Sequence, residues 1–140
     1  MYLSLGEPRR DGPEIRAALG LLRRIAQRAR YVETRVWFFD GRWEAQRGHA
    51  ARAATRLRRS VALSTREGAK WMEALGRYAL GCLARTEAGR RWVPEGADVH
   101  LRDALALFER LGARCEALRT RAALEGRRFD PAVSALCPVP

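Results

Sequence analysis

Long apolar runs are missing from this chain. No stretch approaches the roughly 20 consecutive apolar residues of a membrane-spanning helix, so no membrane span is expected. The first ten residues, Met1 to Arg10, lack a basic-then-apolar leader pattern, and a cytoplasmic location is the expectation. Cysteine is sparse: Cys82, Cys115 and Cys137 are an odd number without close pairs. That spacing fits neither a disulfide framework nor the paired ligands of a zinc site, and reduced thiols are expected. Histidine is confined to His49 and His100, each without a His-x-x-x-His or Cys-x-x-Cys companion, so both read as turn or surface residues. Lysine occurs once, at Lys70, which excludes a Gly-x-x-x-x-Gly-Lys-Ser/Thr phosphate loop. Kinase catalytic-loop, Asp-Phe-Gly and Gly-x-Ser-x-Gly motifs are absent as well. Acidic residues sit beside arginines, as in Glu109-Arg110 and Arg102-Asp103, the pattern of solvated ion pairs. No catalytic, cofactor or metal site is expected; the chain reads as a non-enzyme.

Positive charge is abundant. Lysine and arginine number 27 against 16 acids, a formal net charge of +11, and that balance raises nucleic acid as a partner. Arginine replacing lysine almost throughout, with plentiful Ala, Gly and Leu, also matches a GC-rich coding genome. The arginines spread over every segment. One stripe stands out: Arg52, Arg56, Arg59 and Arg66 fall within an arc of roughly 80° on a helix of 3.6 residues per turn. A solvated face is the plainer account of it, and a nucleic-acid contact is the alternative.

Apolar spacing is helical throughout. Residues 1–12, with Gly6, Pro8 and Gly12, read as a flexible lead-in. Pro13 suits a first helical turn, and Ile15, Leu19, Leu22 and Ile25 repeat along one face to about residue 30. A second helix starts near Tyr31, with Val32, Val36, Phe39 and Trp43 inward, and ends at Gly48-His49. A third, about 49 to 66, places Ala50, Ala53, Ala54, Leu57 and Val61 inward and stops at Gly68. A fourth, about 70 to 86, buries Trp71, Leu75, Ala79 and Leu83. Residues 88–96 form a loop holding Trp92. A fifth helix, 98 to 111, carries Asp98 as its cap and Leu101, Ala104, Leu105 and Phe108 inward. A sixth runs about 113 to 125, and a mobile tail with Pro131, Pro138 and Pro140 covers 127–140. An all-α domain of about six helices over 13–126, in antiparallel hairpins, is the expectation.

Two stretches repeat at a spacing of forty-four residues: Ala53, Leu57, Ser60, Val61 and Gly68-Ala69-Lys70 echo Ala97, Leu101, Ala104, Leu105 and Gly112-Ala113-Arg114. Self-similarity at such a period marks stacked helical hairpins. The series Trp37, Gly41, Ala53, Leu57, Ser60 resembles the tetratricopeptide (TPR) repeat, with its intervals intact. A second copy, Arg77, Gly81, Ala97, Leu101, Ala104, carries four extra residues at the Pro94 loop and Arg77 in place of a large residue. The wording from Ala104 to Arg114, followed by Glu116-Ala117, is similar to the TPR-like C-terminal regions of large bacterial signalling ATPases. These occur in LuxR-type regulators and in serine/threonine kinases fused to an ATPase domain.

That resemblance implies an α-solenoid serving protein–protein interaction in signal transduction or transcription regulation, as part of a larger protein or its companion. It places the first helix of each hairpin on the concave side, so that Arg35, Phe38 and Arg42, then Tyr78 and Arg85, face a groove. Arginine with aromatic residues suits an acidic or C-terminal carboxylate-bearing peptide. Short solenoids with exposed ends also dock onto neighbouring repeats or self-associate.

Overall fold

The computed structural model describes residues 12–26 and 30–126. Among them are seven helices and no strand: α1 (Pro13–Ala26), α2 (Arg30–Gln46), α3 (Ala50–Glu67), α4 (Lys70–Arg85), α5 (Glu87–Arg90), α6 (Ala97–Arg110) and α7 (Arg114–Leu124). The protein is all-α. The lead-in and tail expected for 1–12 and 127–140 lie, Gly12 apart, outside the described residues.

The helices pack largely in chain order: α1 on α2, α2 on α3, α3 on α4, α4 on α6 and α6 on α7. Joins of two or three residues between α2 and α3, α3 and α4, and α6 and α7 force these neighbours to run antiparallel. Side-chain pairs fix that sense: Thr34 near the start of α2 bonds Glu67 at the end of α3, and Glu44 near the end of α2 meets His49 before α3. Each join uses one device. Gly48, Gly68 and Gly112 adopt φ of 78°, 69° and 69°, and the amide after each glycine donates back to a helical carbonyl, Glu44, Ser64 and Phe108 respectively. This left-handed stop requires glycine because a Cβ is strained at positive φ.

The seams of the two hairpins are equivalent. A Cβ placed on Gly41 would lie 2.8 Å from Leu57 Cγ, and one on Gly81 would lie 2.5 Å from Leu101 Cγ. Each glycine thus lets a leucine of the next long helix seat against its backbone. Ala53, Ser60, Leu101 and Ala104 have no exposed surface, so the repeated small residues lie where helices approach. Gly76 makes the corresponding close approach between α3 and α4, where a Cβ would stand 2.7 Å from Val61 Cγ2.

Four expectations need correction. The loop at 88–96 begins with the helix α5, capped by Thr86, whose hydroxyl accepts the Gly89 amide at 2.9 Å and donates to the Leu83 carbonyl at 2.7 Å. Trp71 is 37% exposed: α4 is gripped by both α3 and α6 and, besides the expected Leu83, buries Met72, Ala74, Leu80 and Ala84, leaving Trp71 edge-on against Phe108. Gly96, at φ 91°, holds the cap position of α6, and Asp98 sits in its first turn. Cys115 is disulfide-bonded, whereas Cys82 is free; proximity in space, not sequence spacing, decides such pairing. No helix of the described residues is long and apolar enough to cross a membrane.

Candidate functional site

The facing sides of α2 and α4 touch directly. Their side chains meet at Arg42 from α2 and Tyr78, Cys82 and Arg85 from α4. Arg119 of α7 lies within electrostatic reach of Arg42, Tyr78 and Cys82. Three of the five groove residues expected from sequence, Arg42, Tyr78 and Arg85, therefore share one site.

Arg42 is half-buried, and burial lowers its pKa from the ordinary guanidinium value. No carboxylate of the described residues pairs with it. Its guanidinium stands 5.8 Å from the Phe38 ring centroid, a cation–π placement that orients the group without neutralising it. Burial, with the neighbouring Cys82, pushes the Tyr78 hydroxyl well above the usual phenol range, and burial also raises the Cys82 thiol. Both are neutral and hydrogen-bonded to each other. Arg85 is tethered to the Leu124 carbonyl at 3.0 Å and reaches Asp98 at 3.5 Å. Three arginines, Arg42, Arg85 and Arg119, thus lie within electrostatic reach of the Cys82 thiol, which is paired with the Tyr78 phenol. Guanidinium donors grouped in this way suit an anion through charge-assisted hydrogen bonds.

The other two groove residues behave differently. Phe38 is buried, with 4% of its surface exposed, beside Ala50 and Ala53 in the core; it supports Arg42 from beneath. Arg35 is exposed two turns before Arg42 on α2. Cys82 and Arg119 were not found from the sequence. Cys82 lies one turn after Tyr78 and could have been inferred from that spacing; Arg119 carries no motif.

The arginine stripe divides in two. Arg56 bonds Asp40 and approaches Glu44 at 3.9 Å. Arg59 reaches Glu33 at 3.6 Å and lies 4.8 Å from the Trp37 ring centroid. Arg52 and Arg66 are exposed. Half of the stripe thus fastens α3 to the acids of α2.

His49 and His100 each face a glutamate, Glu44 at 2.6 Å and Glu95 at 2.7 Å. Among the described residues no group of three His, Cys, Asp or Glu is placed to hold a metal ion. Comparison with known protein families, with curated proteins and with solved structures finds no match for this chain.

Proposed function

We propose that the chain is a non-catalytic protein–protein interaction module, a TPR-like α-solenoid that takes an acidic or carboxylate-terminated peptide between α2 and α4. The observation carrying this reading is Arg42, a half-buried guanidinium without a carboxylate partner among the described residues, within electrostatic reach of Tyr78 and of Cys82, beside which Arg85 also lies. A desolvated charge left without its counter-ion is costly, and a ligand carboxylate supplies that counter-ion. The resemblance to signalling ATPases supports a cytoplasmic, bacterial setting, within or beside a regulator or kinase. Leu111 and Leu118, 45% and 41% exposed near the α6–α7 join, support docking of a neighbouring repeat or self-association. The nucleic-acid reading has less support, because Arg56 and Arg59 are engaged by Asp40, Glu44 and Glu33.

The test is binding of short acidic peptides, with free or amidated C-termini, to the wild type and to Arg42→Ala. Losing one charge-assisted hydrogen-bond donor set costs about 1.5–3 kcal/mol, so a loss of roughly tenfold or more in affinity is expected. Equal affinity in the variant would remove the groove from the account.

A further inference from the structure

We infer that the cavity walled by α1, α2 and α3 is a separate binding site for a phosphate monoester, beyond the peptide groove and independent of it. The cavity measures about 370 Å³ and is lined by Arg16, Arg23, Arg47 and Arg56, with Asp40 and Glu44 at its base. That volume lies within the range of small-ligand sites, about 300–1,000 Å³.

The charges do not balance. Four arginines face two carboxylates, a surplus of two positive charges. Both carboxylates are already committed. Asp40, 1% exposed, gives one oxygen to Arg23 at 2.7 Å and the other to Arg56. Glu44 takes His49 at 2.6 Å and Arg56 at 3.9 Å. Arg16 and Arg47 have no carboxylate partner among the described residues, yet both line the same space. Arg47 is seated 5.9 Å from the Trp43 ring centroid, which limits its freedom before any ligand arrives. Burial, with the nearby Arg23, lowers the pKa of Arg56. A dianion cancels a surplus of two, and planar guanidinium forks match phosphate oxygens in pairs. The space exceeds that of a bare phosphate, and the edges of Leu19 and Trp43 complete its lining, leaving room for the carrier of the ester.

The test is calorimetric titration of the full chain with phenyl phosphate at fixed ionic strength near 0.15 M, where diffuse attraction is screened beyond about 8 Å. One saturable site is expected. The double variant Arg16→Gln/Arg47→Gln should bind at least about tenfold more weakly and keep its circular dichroism spectrum, since neither side chain holds an ion pair among the described residues. Arg102→Gln, on the far helix α6, should bind as the wild type does. A phosphoserine-containing peptide run in parallel separates the sources: tighter binding than phenyl phosphate assigns a phosphorylated chain, weaker binding a free phosphate ester. Failure to saturate, or unchanged affinity in the double variant, overturns the inference. Neither outcome touches Arg42 or the groove.

Discussion

Glycine-to-alanine exchange at three positions should give three different answers, although the chemical change is the same. In a helix interior, alanine is favoured over glycine by about 0.8–1 kcal/mol. At Gly20 in α1 no atom lies within 4 Å of the added Cβ, so Gly20→Ala should stabilise the protein by roughly that amount. At Gly81 the Cβ would lie 2.5 Å from Leu101 Cγ, 2.7 Å from its Cδ2 and 3.3 Å from the Ala97 carbonyl oxygen. Leu101 is fully buried and cannot swing away. Overpacking of this kind costs about 1–3 kcal/mol, and the close Cγ contact puts Gly81→Ala toward the upper end. After the propensity gain, net destabilisation of about 1–2 kcal/mol is expected, a drop in Tm of several degrees. Gly89→Ala should be worse than either, because its Cβ would strike the Leu83 carbonyl oxygen, part of the backbone. Urea unfolding followed by circular dichroism ranks the three. A double cycle with Leu101→Ala adds a sharper check: with the leucine gone, Gly81→Ala should turn neutral or stabilising. If Gly81→Ala stabilises as much as Gly20→Ala in the wild-type background, the seam argument is wrong.

Other outcomes follow from the same structure. Ala53→Leu, at a position with no exposed surface, should cost about 1–3 kcal/mol in thermal unfolding; an unchanged Tm would contradict close approach of α2 and α3. Arg58 hydrogen-bonds Glu95 and holds its carboxyl down to about 2 from 4.5, with His100 adding to the effect. A depressed folded pKa stabilises the protein above the unfolded value. Stability should therefore fall as pH drops from about 4.5 toward 2, and Glu95→Gln should flatten that slope; an identical acid profile in the variant would refute the clasp. Asp40→Ala strips the partner from Arg23 and Arg56 and should cost about 1.5–3 kcal/mol, as losing a hydrogen bond to a charged group does; a loss below about 0.5 kcal/mol would show those contacts to be incidental.

The hairpins were legible because small residues recur at positions where only small residues fit: Gly41, Ala53, Gly81 and Ala104 are seams in both sequence and structure. The stops were legible because positive φ favours glycine, as at Gly68 and Gly112. Face assignment was less so for α4. A helix gripped on two sides buries more than one apolar stripe, so the periodicity that selected Trp71 missed Met72 and Ala74. Thr86–Gly89 was hidden because a four-residue helix has no period to read. In the candidate site, Arg42, Tyr78 and Arg85 followed from their register relative to Gly41 and Gly81. Arg119 depends on how α7 returns across the hairpins, which no local pattern encodes, and the split of the arginine stripe depends on acids of α2 that lie 16 and 26 residues away in sequence.

The central claim, a peptide groove instead of a nucleic-acid surface, is most directly tested by fluorescence anisotropy of one labelled acidic peptide and one labelled DNA duplex. Each is measured against wild type, Arg42→Ala/Arg85→Ala, and Arg52→Glu/Arg66→Glu. The latter pair reverses the stripe positions that fasten no acid among the described residues. The account predicts peptide binding that is lost in the groove variant and kept in the stripe variant, with duplex binding weak at 0.15 M salt. Tight duplex binding with a log–log salt slope of several units, each phosphate contributing about −0.9, and its loss only in the stripe variant, would contradict it.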